Sequence, residues 1–510
     1  MEHSSPRQAI TPVILATAIL CLLWYLSLLL QPAAIDNPVT FVLLLLAECI
    51  AAIQLLGAWI TIIVGPDDKP RPEILVAKRA IQRSPTLAGT VAVFVPVSGE
   101  PLEVITETLV AARDIAFPHQ TYVLDDETSD GTKALAGRLG IRYLNRPDRA
   151  GWKAGNINHA LQHVECDFFA IFDSDHVAKP EFLIETLPWL LVDKDVAFVQ
   201  TPQYMVNNDS FVSGGIAESQ EIFYNHIQPA KNRFNAAFCV GTNVLFRTAA
   251  VLEVGGIYDK SRSEDIWTSI LLHEVGWRSV YLPLVLAHGQ APESVEAFLR
   301  QQFRWASGGF EILFRKNPLF IRPLTLDQKL QYLHTALFFL SGFSVAMFYV
   351  LPLLYVYFGW RAMDVPYGAT NWAKHFVPYF VMMYLSTAHL LGRWPRWRTY
   401  VVAIGAFPAH IGACLTVLTG IRFQWKASGV LPSNIDYIKP VMVHLLLLLL
   451  SLSAIPVLLT TERRASMAFI TCLWLLLNCA SLFSLCRRAM PGRSEPAPAV
   501  QPTYGRAAAA

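Results

Sequence analysis

The sequence predicts an α/β domain on a mostly parallel sheet, inserted into an α-helical region that crosses a membrane several times. Three observations predict it. Long uncharged runs crowd both ends of the 510-residue chain. The middle, residues 67–325, carries most of the charge and no run long enough to span a bilayer. Within that middle, short β-rich runs alternate with helical patterns, as strands joined by crossover helices do.

At the N-terminus no charge occurs between Arg7 and Asp36, and a second apolar run over 38–64 is broken only by Glu48. Residues 1–66 therefore read as two transmembrane helices. A cleaved signal peptide competes for the first run, but the run is too long and the second follows too closely. Beyond residue 326 lie uncharged stretches at 331–360, 375–392, 399–421, 440–461 and 465–486. If all seven runs span, the loop holding Arg422, Lys426 and Lys439 and the pair Arg487–Arg488 fall on opposite faces. If 399–421 lies along the surface, these residues join Arg393, Arg396 and Arg398 on the cytoplasmic side, as the positive-inside tendency favours. Pro408 also suits a bent surface helix. The expected order is two transmembrane helices over 326–395, an interfacial helix and loop over 396–439, two transmembrane helices over 440–487, and a disordered cytoplasmic tail over 488–510. The central domain and both termini then face the cytoplasm.

Composition narrows the function. The chain is 53% hydrophobic and only 16% charged, and its net charge of +2 comes from 41 basic and 39 acidic residues with no basic cluster. A nucleic-acid binder would show a basic face. None of the 8 cysteines forms a CxxC pair, so they read as small buried hydrophobes rather than disulfides or a zinc site.

In the central domain the strand runs are 90–96, 120–126, 141–145, 167–173 and 196–200, with helical patterns at 102–113, 132–139, 153–164 and 180–192. Ligands of such sheets bind beyond the carboxyl ends of the strands. Asp125 and Asp126 close one strand in YVLDDETSDGT, and Asp173 and Asp175 close another in AIFDSDH. A lone acidic pair is often just an Asx-rich turn. Two pairs on very apolar, adjacent strands can hold a divalent cation, which takes a carboxylate or two with phosphates and water. In SEDIWTSILLHEVGW, Glu264 and Asp265 open an amphipathic helix; the plain alternative is a helix start capped by Ser263. In ESVEAFLRQQFRWASGGFEI, Arg304 stands beside Trp305; the plain alternative is an aromatic and cationic membrane belt.

In their order these motifs resemble the processive, cellulose-synthase-like branch of glycosyltransferase family 2, over about Val91 to Asp327. The family's acidic motif, DxD, (T/S)ED and QxxRW read here as Asp125–Asp126, Asp173–Asp175, Ser263–Asp265 and Gln301–Trp305. FVPVSGEP places Ser98 and Glu100 near a nucleobase, and RAGWKAGNINHAL places Lys153 near a diphosphate. VQTPQY (199–204) and FCVGTNVLFR (238–247) match further segments, the second lining the acceptor pocket. FQWKASG (423–429) matches the family's gating loop FxVTxKG at Phe423 and Gly429, with Lys426 and Ser428 departing from it. The residues after the last helix are too few for a cyclic-di-GMP-binding PilZ domain, so no response to that nucleotide is expected.

The resemblance implies a glycosyltransferase-A-like fold and inverting transfer from a UDP-sugar, UDP-glucose first, onto a growing β-glucan. It makes Asp265 the general base and gives Mg²⁺ or Mn²⁺ to Asp173 and Asp175. Ser98, Glu100, Asp125, Asp126, Lys153, Asp173, Gln301, Arg304 and Trp305 become substrate-binding residues. Implied partners are the polysaccharide acceptor, the lipid bilayer of the inner membrane, and a periplasmic or accessory export subunit. Trp360, Tyr355 and Trp372 line the polymer's path or anchor the lipid interface. Competing readings are transfer of one sugar to a lipid phosphate, synthesis of a curdlan-, mixed-linkage- or hyaluronan-type polymer, and a transporter whose domain senses nucleotide. The motifs leave the linkage open.

Overall fold

The structure, a computed structural model, describes residues 6–31, 35–65, 71–261, 263–364, 368–420, 439–462 and 465–490. The gating-like segment at 423–429 and the tail beyond 490 lie outside them. The first helices are α1 (Pro6–Leu29), α2 (Pro38–Val64) and α3 (Pro72–Arg83). The central domain follows with α4 (Leu102–Arg113), α5 (Asp130–Leu139), α6 (Trp152–His163), α7 (Phe182–Val192), α8 (Phe211–Ile222) and α9 (Gln228–Lys231). It continues through α10 (Thr248–Glu253), α11 (Glu264–Glu274) and α12 (Val295–Arg315). The last group is α13 (Leu326–Leu337), α14 (Ser341–Phe358), α15 (Gly368–Leu391), α16 (Trp397–Gly405), α17 (Phe407–Thr419), α18 (Met442–Thr461) and α19 (Ala465–Ala489).

The strands are β1 (Val91–Val97), β2 (Gln120–Asp125), β3 (Arg142–Asn145), β4 (Phe168–Ile171), β5 (Val177–Ala178), β6 (Val196–Gln200), β7 (Val244–Arg247), β8 (Arg278–Tyr281) and β9 (Ala287–His288). Seven of them form one sheet in the order β3-β2-β1-β4-β7-β6-β8, and β5 pairs with β9. All neighbours in the large sheet are parallel except β7, which runs against both β4 and β6. Helices cover both faces, so β1, β4 and β6 are buried throughout, and their near-continuous apolar sequences follow from that. Val93 and Val95 pack under Leu109, Leu135 and Phe182 on one face. Ala92 and Phe94 meet Ile157 and Leu272 on the other.

The sheet order corrects one expectation. The strands bearing the two acidic pairs are not adjacent, because β1 stands between β2 and β4. The plain alternative for α11, a cap by Ser263, is not found: Ser263 makes no side-chain capping bond there.

Among the described residues, six stretches are long and apolar enough to cross a membrane: Ala9–Leu29, Pro38–Val64, Leu326–Phe358, Trp397–Thr419, Lys439–Thr461 and Met467–Ala489. Length and composition thus include 397–419 and leave out α15. Packing sorts them differently. α15 lies antiparallel along α1 for its whole length, with Trp24 stacked on His375 at 4.5 Å, Tyr25 on Tyr379 at 5.1 Å, and Thr11 hydrogen-bonded to His389 at 2.9 Å. The 397–419 stretch breaks at Ala406, ahead of Pro408, and its two halves pack on α8 and α12 of the central domain. Helices α1, α2, α14, α18, α19 and α15 pack in that cyclic order as a ring. A cavity of about 220 Å³ lies among α1, α2, α14, α15 and α19, lined by Tyr25, Glu48, Tyr355, Trp372, Phe376 and Trp474 among others. Trp360 lies outside it, on the surface.

Candidate active site

The two acidic pairs have different surroundings. Asp125 is 1% exposed, and its carboxylate accepts from the Glu127 and Ser129 N–H groups (2.8 and 2.7 Å) and from the Tyr143 hydroxyl (2.9 Å). Asp126 is gripped by Arg146 through both oxygens, at 2.6 and 3.0 Å. Arg146 also donates to the Ala150 and Trp152 carbonyls (2.5 and 2.8 Å), so this pair fixes the 146–152 loop ahead of Lys153. The Asp173 and Asp175 side chains, by contrast, are 35% and 41% exposed.

Beyond β4, Asp173, Asp175 and His176 each place a ligand atom within 4.8 Å of the others. His176 donates through Nδ1 to Asp175 at 2.8 Å. Burial works against the Asp175 carboxylate, but the His176 bond and then Lys153 outweigh it and hold its pKa below the usual range. His176 escaped the sequence reading, although it directly follows the second aspartate. Lys153, at the start of α6, donates to Asp173 and to the Gly241 carbonyl (2.7 Å). Burial disfavours its charge, yet Asp173 and Glu264 more than compensate, so its pKa is raised. Glu100 turns back to accept from the Ser98 N–H at 2.6 Å. Burial raises its pKa, against the pull of the Ser98 and Ser174 donors.

Gly241 joins these groups to α11. Its φ of +88° suits glycine, and a Cβ there would sit 3.5 Å from Asp265 Oδ2 and 3.6 Å from Lys153 Nζ. Asp265 opens α11 with Oδ1 accepting the Ile266 N–H at 2.8 Å. Burial, then the neighbouring Glu264 carboxylate, push its pKa up to about 7 against the pull of Lys153 and Arg304. A carboxylate tuned to that range is suited to taking a proton near neutral pH.

α12 supplies the remaining wall. Trp305 is half-buried against a cluster containing Phe310, Phe339 and Cys414. His410 of α17 donates to Gln302 at 3.3 Å, and Gln301 Oε1 is buried with no partner among the described residues. Lys153 thus links Asp173 to Gly241, next to Asp265, whose carboxyl also feels the Arg304 charge, and Asp175 and His176 adjoin Asp173.

The family Glycosyl transferase family group 2 matches residues 168–391, which include the Asp173–Asp175 cluster, Asp265 and the Gln301–Trp305 motif. The chain carries a glycosyltransferase family 2 domain. It is 34% identical over 323 residues to the cellulose synthase catalytic subunit of Xanthomonas axonopodis pv. citri, covering 61% of this chain and 43% of the relative. It is 31% identical over 312 residues to that of Pseudomonas fluorescens, with coverages of 60% and 42%. The chain therefore spans less than half the length of these relatives. Among solved structures, a mannosyltransferase from Pyrobaculum calidifontis, in complex with GDP-mannose and Mn²⁺, is 18% identical with a TM-score of 0.47, covering 74% of this chain and all of that one.

Proposed function

We propose that this protein transfers hexosyl units from a UDP-sugar, UDP-glucose first, to the end of a growing β-glucan of the cellulose type and passes the polymer through its helical ring. The convergence of the raised Asp265 with Lys153, Asp173 and Arg304 carries the reading. Asp265 takes the proton of the acceptor hydroxyl as that oxygen attacks the anomeric carbon. The anomeric C–O bond to the diphosphate breaks on the opposite face, so configuration inverts. Charge then grows on the leaving diphosphate, where the Lys153 ammonium and the planar Arg304 fork stabilise it. Ser98 and Glu100 hold the nucleobase side, Trp305 offers an apolar face to the acceptor sugar, and Gln301 offers its unpartnered oxygen to a sugar hydroxyl.

Asp173 and Asp175 have the oxygen donors that Mg²⁺ or Mn²⁺ takes, and their exposure leaves room for phosphate oxygens. The ion, when bound, supplies positive charge to the diphosphate. Lys153, which holds Asp173, would add its ammonium charge to the same diphosphate. Asp175→Asn or EDTA is expected to abolish transfer in correctly inserted protein, EDTA reversibly.

The ring and its aromatic-lined cavity favour export of a chain over transfer to a lipid phosphate. With the central domain in the cytoplasm, the ring crosses the inner membrane and α16–α17 lies along its inner surface, where Arg393, Arg396 and Arg398 cluster. Purified protein in lipid nanodiscs with radiolabelled UDP-glucose tests the whole reading. Cellulase-sensitive polymer is expected. Lipid-linked sugar or no transfer overturns it, and resistance to cellulase with sensitivity to another glucanase overturns the linkage alone.

A further inference from the structure

Helix α11 must hold Asp265 in place, yet Ser263 gives its first turn no side-chain cap. Two fully buried hydroxyls do the holding instead. Thr268 Oγ1 donates to the Glu264 carbonyl at 2.6 Å and accepts the Tyr258 N–H at 3.0 Å. Ser269 Oγ donates to the Asp265 carbonyl at 2.8 Å and accepts the Cys239 N–H at 2.9 Å. Each hydroxyl has a single proton, committed to the helix, so each bridge runs in one direction from loop N–H to first-turn carbonyl.

Such back-bonds mildly destabilise and bend a helix, so helix formation alone does not explain them. They give two buried loop N–H groups a partner, and through them the loops are tied to the turn that bears Glu264 and Asp265. Cys239 leads within two residues to Gly241, whose carbonyl holds Lys153. The Ser269 bridge therefore sets the spacing between Asp265 and the Lys153 ammonium.

The far end of α11 is fixed by a second chain. Ser279 donates to the Ala237 carbonyl at 2.6 Å, which uses its only proton. His273 must then donate through Nε2 to Ser279 (3.0 Å), and its Nδ1 accepts from the Tyr332 hydroxyl of α13 (2.8 Å). With that end anchored, the hydroxyl bridges decide where the first turn sits.

We infer that Thr268 and Ser269 are positioning residues for sugar transfer, holding the first turn of α11 so that Asp265 meets the acceptor hydroxyl. This rests on the reading of Asp265 as the base. The test compares Thr268→Val, close in shape but lacking the hydroxyl, with Thr268→Ser, and adds Ser269→Ala and Asp265→Asn, all in nanodiscs with UDP-glucose. A misplaced base lowers kcat by about 10-fold or more while UDP affinity and KM stay within about 2-fold, because neither hydroxyl touches the donor. Thr268→Ser is expected to restore most of kcat. If Thr268→Val and Ser269→Ala lose thermal stability but keep wild-type kcat, the hydroxyls are only structural and the inference falls. If Asp265→Asn keeps turning over, the base assignment falls first and takes the inference with it.

Discussion

Asp265 carries a conflict between stability and chemistry that a single substitution exposes. Its pKa, raised to about 7 by burial and Glu264, means the folded protein keeps a proton that the unfolded chain releases near pH 4. Below that range both states are protonated and there is no penalty. As pH rises toward 7 the unfolded state gains, so the ionised side chain destabilises the fold most fully above pH 7. Asp265→Asn is expected to raise the unfolding temperature at pH 8 and leave it nearly unchanged at pH 4. The same variant loses roughly 10²–10⁴ in rate, because an amide takes no proton. In wild type, transfer is expected to rise with pH and level off above about 7. A rate independent of pH from 5 to 8 would exclude Asp265 as the base. Gly308 sets the same turn from the other side. A Cβ on Gly308 would stand 1.8 Å from Ser263 Oγ, two residues before Asp265. Gly308→Ala is therefore expected to cut kcat by about 10²-fold through displacement of that turn, with UDP binding retained.

At the scale of elements, α8 and α16 meet through one buried carboxylate. Glu218 accepts from Arg398 at 2.7 Å and from the Thr399 hydroxyl and forms an ion pair with Arg396 at 3.2 Å, while Gly214 and Gly215 of α8 let the two helices approach closely. Burial raises the Glu218 pKa, but Arg398 and Thr399 outweigh it and the net shift is downward. Its stabilising contribution is thus present above the ordinary carboxylate range and is lost as pH falls through the lowered pKa. Glu218→Gln leaves Arg398 its bond to the Ser210 carbonyl but no counter-charge, and is expected to cost up to about 3 kcal/mol, read as faster thermal inactivation at pH 7. A variant as heat-resistant as wild type would show that the seam contributes nothing.

Strands β1, β4 and β6 were legible because burial on both faces demands an unbroken apolar run such as Val196–Gln200. β7 and β8 were not: four residues each carry little periodic signal, and the reversal of β7 depends on long-range pairing. The site was legible where chemistry needs a fixed spacing, as in Asp173–Asp175 and Gln301–Trp305. The Asp126–Arg146 pair was not, because it joins residues 20 apart across a loop. The alternative of a Ser263 cap fails for a physical reason. The Ser263 side chain packs against Gly308 of α12, and hydroxyls one turn into α11 replace the cap.

For the whole molecule the question is whether synthesis and export share one path. His410 of α17 meets Gln302 of α12, the helix that bears Arg304 and Trp305, and the ring cavity lies among α1, α2, α14, α15 and α19. A polymer leaving the Trp305 face would run up the ring past Phe376, Trp372 and Trp474, whose rings offer apolar faces to sugars. Thr471 lines that cavity from α19. Thr471→Trp would fill much of its roughly 220 Å³ without touching the catalytic domain. Overpacking of this kind costs about 1–3 kcal/mol, so the variant is expected to insert and to bind UDP normally. If the ring is the path, long polymer disappears while transfer to a short soluble acceptor continues, since such an acceptor reaches Trp305 without entering the ring. If Thr471→Trp makes polymer of wild-type length at wild-type rate, the cavity is not on the route and the ring serves only to hold the domain at the membrane. If short-acceptor transfer is lost as well, the substitution has acted through the catalytic domain. A normal UDP affinity would then place the defect at α12, the element that both halves of the molecule share.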